Sequence, residues 1–275
     1  MNDDETYQTW VENNLVIAIP TYGRPTTILK HTLSLFTDRF KSKIIIYLQD
    51  NEKPNNVSEY EKLHNDHGYK LAMLPVLEGY GIGMKRNQIK KIHKKQHLLM
   101  IDDDIRAIVD MSNIKMSPEN IENMIIENFI KCREHSCKLW GINPYSNSFY
   151  FKSEPTTTLK FICGGFCGHL PGTPLYSYVN CLEDYYNTLA HFRRDGGVYR
   201  DNRYGLKTTL FTNKGGLQLM GEDRLRDEEI NADVIVKEFG EKMVRKHIKK
   251  RGVDLRLNHH YKNPPTLHFQ NENCL

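Results

Sequence analysis

Hydrophobic residues in the first hundred positions gather into short solid runs separated by amphipathic stretches. Leu15 to Pro20 (LVIAIP), Lys43 to Gln49 (KIIIYLQ), Lys70 to Leu77 and His97 to Ile101 (HLLMI) are apolar runs, the pattern of strands buried on both faces. Between them, Thr26 to Phe40 (Ile28, Leu29, Leu33 and Phe36 inward), Ser58 to His67 and Gly83 to Gln96 read as helices. Strand and helix alternating in this way predict an α/β fold: a mainly parallel sheet covered by helices on both faces. Ligands of such sheets lie outside the carboxyl ends of the strands. The chemically marked residues fall at those ends: Pro20-Thr21-Tyr22-Gly23-Arg24 after the first run, Asp50 after the second, and Asp102-Asp103-Asp104 after the fourth.

Beyond Ile105 the pattern changes. Ala107 to Met111 predicts a short strand, and Ser117-Pro118-Glu119 opens a helix that should reach about Ser136, with a capping serine, proline in the first turn and an acid near the positive pole. Short strands are expected at Leu139–Asn143, Phe149–Phe151 and Leu159–Cys163, then a glycine-rich turn over Gly164–Gly168 and a helix from Leu182 to Arg194. No repeat or linker divides the chain. The expectation is one domain, 1–275, with a nucleotide half (1–111), an acceptor half (112–235) and a basic C-terminal segment (236–275).

Composition narrows the class. With 39% hydrophobic and 26% charged residues the chain is not a disordered one, and no apolar run approaches the roughly 20 residues that span a bilayer. The acidic start Met1-Asn2-Asp3-Asp4-Glu5 is unlike a secretory signal, so no membrane partner and a cytoplasmic location are expected. Six cysteines without a CxxC pair suggest reduced, buried thiols. Charge is uneven: Lys237 to Lys262 hold nine Lys/Arg against three acids, while the remainder is slightly acidic. Arg245, Lys246, Lys249, Lys250 and Arg251 are therefore the candidates for contacting a polyanion such as DNA, RNA or an acidic glycan. On the helix after Gly83, Ile82, Ile89 and Ile92 share one face, and Lys90, Lys91, Lys94 and Lys95 are expected to project from the other.

Four constellations carry chemistry. Asp102 and Asp104, with Asp103 between them, are either hard oxygen donors suited to Mg²⁺ or Mn²⁺ or an acidic turn that solvates a strand end. Gly23 permits close backbone approach, and Arg24 supplies a planar fork for phosphate. The glycines of Gly79-Tyr80-Gly81-Ile82-Gly83, followed by Lys85 and Arg86, suggest a diphosphate cradle at a helix start, although neither a Walker loop nor a GxGxxG fingerprint is present. Glu183 and Asp184 are either a general base with its neighbour or acids favoured at a helix start. His259 and His260 are either a late metal ligand or a surface pair.

Taken in order, IPTYGRP, the acid after the second strand, the Lys85-Arg86-Asn87 segment, MIDDDI, Glu183-Asp184 and the late histidines resemble the GT-A glycosyltransferases, metal-dependent enzymes that use nucleotide sugars. That resemblance implies a GT-A fold, a divalent metal cofactor (Mn²⁺ or Mg²⁺) and a donor such as a UDP-sugar. By position, Thr21, Arg24 and Asp50 match residues holding base and ribose, with Pro20 and Gly23 in the same loop, and Arg86 matches a basic residue facing the nucleotide. Asp102 and Asp104 match the DxD motif, Asp184 the catalytic base of inverting members, and His259 or His260 the metal-binding histidine. The segment Gly196 to Tyr204, the later Gly215-Gly216 and the basic C-terminal end look like the TET-associated DNA glycosyltransferases of bacteriophages and their relatives that make base J. This narrower resemblance implies transfer to the hydroxymethyl group of 5-hydroxymethylpyrimidine in DNA. Gly164, Gly165 and Phe166 would then line the acceptor pocket, with Phe161 and Tyr185 as further stacking candidates. A glycan, lipid-linked or protein acceptor keeps the same catalytic residues, and a binding module without turnover would need the carboxylates to be structural.

Overall fold

A computed structural model describes residues 3–76, 81–208, 221–249 and 252–262. In chain order its elements are α1 (Asp3–Asn14), β1 (Leu15–Pro20), α2 (Pro25–Lys30), a 3-10 turn (Thr32–Leu35), α3 (Asp38–Lys41), β2 (Ile44–Gln49), α4 (Pro54–His67) and β3 (Lys70–Leu74). Then come α5 (Ile82–Ile92), β4 (His97–Ile101), β5 (Ile105–Val109), α6 (Pro118–Glu134), β6 (Leu139–Asn143), a 3-10 turn (Ser148–Tyr150) and β7 (Phe166–His169). The remainder is α7 (Glu183–Asp195), β8 (Tyr199–Thr208), α8 (Gly221–Phe239), β9 (Val244–Lys249) and β10 (Gly252–Leu257). Local signals explain several ends. Pro54 opens α4 and Gly68, at φ 75°, closes it in the left-handed conformation; the Ser117 hydroxyl accepts from the Asn120 amide (3.3 Å) at the start of α6.

Eight strands form one mixed sheet in the order β3-β2-β1-β4-β7-β6-β8-β5, and β9 and β10 form a separate antiparallel hairpin. The pairings β1–β2, β1–β4, β2–β3 and β6–β8 are parallel; β4–β7, β6–β7 and β5–β8 are antiparallel. This is the α/β architecture expected from the apolar runs. Alternation along each strand divides the core between two faces: Ile17, Ile19, Leu99 and Ile101 pack with Phe129 and Trp140 on one side, and Val16, Ala18, Leu98 and Met100 with Leu189 and Phe192 on the other. Because β1, β2 and β4 run in the same direction, Thr21, Asp50 and Asp102 leave the sheet at one edge. Ile101 pairs with Phe166 in the antiparallel β7, which lays Gly164 and Gly165 beside Asp102; the Asp102 amide donates to the Gly165 carbonyl (3.0 Å).

Several expected elements differ. The helix expected over Thr26–Phe40 is three pieces, because the Thr32 hydroxyl donates to the Asp102 carbonyl (2.7 Å) and accepts from the Ile105 amide (3.1 Å), pulling the chain out of α-helical register. Phe149–Phe151 is a 3-10 turn rather than a strand, Leu159–Cys163 is irregular, and the glycine-rich turn continues into β7. Lys90, expected on the solvated face of α5, is 2% exposed, while Ile92, expected inward, is 56% exposed. The first strand of the C-terminal half that reaches β5 is β8, so segments 1–111 and 112–235 share one sheet. No described helix is long and apolar enough to cross a membrane.

Candidate active site

The loop after β1 is fixed by buried polar contacts. Thr21 Oγ1 donates to Asp103 Oδ2 (2.6 Å) and lies 2.8 Å from the Tyr60 hydroxyl, which also accepts from the Arg24 amide (3.0 Å). Gly23, at φ 70°, turns the chain so that its amide meets Glu52 Oε2 (2.8 Å). Arg24 Nη1 then reaches Asp103 Oδ1 (3.0 Å) and Asp104 Oδ2 (3.3 Å). Lys85 Nζ enters from α5 and donates to the Thr21 carbonyl (2.6 Å). Burial pushes the Lys85 ammonium down to about 8, opposed by Asp103 and Glu52, and burial pushes Asp103 up to about 6, opposed by Arg24.

Arg86 is the second pivot. It is 6% exposed, and its two terminal nitrogens reach Glu183 Oε1 and Asp102 Oδ1, the latter at 2.5 Å. Burial alone would lower its affinity for a proton; Asp102 and Glu183 more than offset that and raise it. The glycines of β7's approach are sized for this contact. A Cβ on Gly164 would stand 2.2 Å from Arg86 Nη1, and one on Gly165 would stand 2.7 Å from Asp102 Oδ2. Half-buried Asp184 lies across the same turn, accepting from the Tyr185 amide (2.9 Å). Burial and the neighbouring Glu183 raise its pKa, while Arg86 and the amides of Tyr185 and Gly164 act the other way.

The cluster therefore gathers six carboxylates (Glu52, Asp102, Asp103, Asp104, Glu183, Asp184) about three cations, Arg24, Lys85 and Arg86. A negative excess of this kind suits a hard divalent cation, and the space beside Asp102 Oδ2 that only glycine leaves open is compatible with one. The donor set fits such an ion only in part: among the described residues no group of three His, Cys, Asp or Glu side chains is arranged to hold a metal. His259 and His260 are not gathered with the aspartates; the His259 ring is directed by a 2.7 Å contact between Nδ1 and the Leu159 carbonyl, and His260 is exposed.

Other expected site residues have different surroundings. Asp50 is exposed and accepts from the Val76 amide (3.0 Å). Pro20 is buried as the last residue of β1. Gly81 and Gly83 are small because Asn180 and Val179 carbonyls would each lie 2.4 Å from an added Cβ, so close packing explains their spacing; Gly79 and Tyr80 lie outside the described residues. Phe166 is fully buried against Trp140 (ring centroids 5.9 Å), which places it in the core and not at an open acceptor surface. Phe161 and Tyr185 do pair, at 4.3 Å. In the basic hairpin, Lys246 meets Asp233 (2.5 Å) and Lys249 meets Asp254, so two expected polyanion contacts carry intramolecular partners; Lys250 and Arg251 lie outside the described residues. Tyr60 and Glu52, which hold the first loop, were not anticipated: each is one polar residue within a segment that reads as a helix or turn.

No family model matches the chain, and no curated protein matches it. Among solved structures, the mannosyltransferase PcManGT from Pyrobaculum calidifontis, in complex with GDP-Man and Mn²⁺, is 11% identical over 82% of this chain with a TM-score of 0.49. The chain spans 64% of that protein's length. A197 from STIV is 10% identical over 72% of this chain and 86% of its own, with a TM-score of 0.36.

Proposed function

We propose that the chain is a metal-dependent glycosyltransferase of the GT-A type, taking a sugar from a nucleotide-diphosphate donor such as a UDP-sugar. The observation that carries this is the carboxylate-rich cluster, with its three cations, at the carboxyl ends of the parallel strands β1 and β4. Thr21, Arg24 and Asp50 flank the nucleoside. Lys85 and Arg86 present positive charge where a leaving diphosphate gathers negative charge. Asp102 and Asp104 would hold Mn²⁺ or Mg²⁺, which when bound supplies further charge against that leaving group. Asp184 takes the proton of the acceptor hydroxyl as its oxygen attacks the anomeric carbon, and its raised proton affinity suits that role.

The acceptor in this reading is the hydroxymethyl group of a 5-hydroxymethylpyrimidine in DNA. Exposed Arg245 on the hairpin, and the exposed ring cluster Tyr145, Phe149 (84% exposed) and Tyr150, support it, since bases stack on such rings beside positive charge. The intramolecular pairing of Lys246 and Lys249 favours a second reading, a glycan acceptor held by the same rings. The test is incubation with Mn²⁺ and a panel of nucleotide sugars, with and without hydroxymethylated DNA, followed by mass spectrometry of digested nucleosides. A hexose or pentose mass shift on the modified nucleoside is expected. Modification of a saccharide alone would overturn the DNA assignment, and no transfer from any donor to either acceptor would overturn the glycosyltransferase.

A further inference from the structure

A second polar site lies at the other end of β4 from Asp102, about 13 Å along the strand at roughly 3.3 Å per residue. There a cavity of about 280 Å³ opens between the last turns of α5 and α7 and the loop Leu170–Pro174. Its lining is cationic: Lys90, Lys94, Lys138 and Arg194 face one carboxylate, Asp195. That carboxylate is already engaged, by Arg194 Nε (2.6 Å) and by His191 Nδ1 (2.9 Å). His191 is 3% exposed; its Nδ1 lies 2.9 Å from Asp195 Oδ2 and 3.3 Å from Arg194 Nη2, and because the ionised carboxylate can only accept, the shorter contact places the proton on Nδ1 and leaves Nε2 as an acceptor. Among the described residues this buried atom has no hydrogen-bond partner.

Some of the positive charge has a structural reason. Lys90 donates to the Leu175 carbonyl and to Asn187 Oδ1 (2.9 Å), Arg194 donates to the Thr173 carbonyl (2.8 Å), and cations are favoured in the last turn of a helix. Neither reason covers Lys94 and Lys138, which are exposed at the cavity's rim outside the helices, nor the orphaned His191 Nε2. The surrounding charge also acts on half-buried His169, where burial and then Lys90, His191 and Arg194 hold the ring well below its usual pKa.

We propose that this cavity binds a small phosphate monoester bearing hydroxyl groups, of the size of a hexose phosphate, with Lys94 and Lys138 meeting the phosphate and a hydroxyl donating to His191 Nε2. The volume is close to the roughly 300 Å³ at which small-molecule sites begin, so a nucleotide sugar is too large for it. The site is independent of the role assigned to the Asp102 cluster. Calorimetric titration of the full chain with glucose 6-phosphate, inorganic phosphate and glucose tests it, on wild type, on Lys94→Ala/Lys138→Ala and on His191→Asn, which keeps a donor toward Asp195 and deletes Nε2. Saturable binding of glucose 6-phosphate is expected, at least about tenfold tighter than phosphate or glucose and weakened about tenfold or more in each variant. Absence of saturable heat, equal affinity for inorganic phosphate, or unchanged affinity in the rim variant would overturn the proposal. The rim lysines are exposed, so that variant keeps the test decisive even where His191→Asn disturbs the fold.

Discussion

Replacing Arg86 with alanine removes the cation shared by Asp102 and Glu183. Glu183 is 4% exposed and next to half-buried Asp184, so the change leaves buried like charges without their counter-ion. Breaking a buried ion pair from one side costs about 3–5 kcal/mol. At about 2–4 °C per kcal/mol for a chain somewhat smaller than this one, Tm should fall on the order of 10 °C. The loss should depend on pH in a defined direction. Asp184 is held above its ordinary pKa by burial and by Glu183, with Arg86 acting the other way, so removing Arg86 raises it further and the folded variant holds a proton that the unfolded chain releases. Its deficit relative to wild type is smallest below about pH 4, where both states are protonated, and widens as pH rises through the folded-state values. Urea denaturation at a series of pH values reads this directly, and Arg86→Ala/Glu183→Gln should recover much of the loss. A single variant that loses less than about 1 kcal/mol, or loses the same amount at pH 5 and pH 8, would refute the pivot role assigned to Arg86.

Asp104→Asn should abolish transfer and weaken Mn²⁺-dependent binding of a nucleoside diphosphate in calorimetry, with the fold intact by circular dichroism. Asp184→Asn should keep donor affinity near wild type and lower kcat by about 10²–10⁴ in steady-state assays, whereas Glu183→Gln should act mainly on stability. Burial pushes the Lys90 ammonium down to about 7, so the folded state binds fewer protons than the unfolded chain between about pH 7 and its ordinary value. Wild-type stability measured against Lys90→Met should therefore rise over that interval in denaturant titrations. Reversing Arg245, Lys246 and Lys249 to glutamate should raise the KM for hydroxymethylated DNA more than that for the donor and flatten the salt dependence of DNA binding, as gel-shift titrations would show.

The strands β1, β2 and β4 could be read because solid apolar runs have one good solution, burial on both faces, and the positions of their ends follow from the runs themselves. The acids and Arg24 at those ends were legible for the same reason. What the chain order conceals is pairing across distance. Arg86 meets Glu183 from 97 residues away, and Gly164 is a glycine because a guanidinium from another helix fills its side-chain volume. Neither fact has a local signature. Lys90 reads as one of four solvated lysines, yet α7 and the Leu175 segment cover it, since helical spacing gives a face but not what packs on it. The strand Tyr199–Thr208 escapes prediction because arginines and asparagine interrupt it, their polar groups being satisfied by one another: Asp201 holds Arg203, and Asn202 holds the Glu154 carbonyl.

The sheet order has a consequence for how the molecule is made. Strands β1 to β4 have one another as soon as residue 101 has been synthesised, but β5 has no partner strand until β8 follows, some ninety residues later, and Arg86 no Glu183. A nascent chain halted between them would expose an apolar strand beside an Arg86 that has Asp102 but not yet Glu183. The interval between Ile105 and Tyr199 is thus the stretch of synthesis in which the protein is most dependent on being shielded.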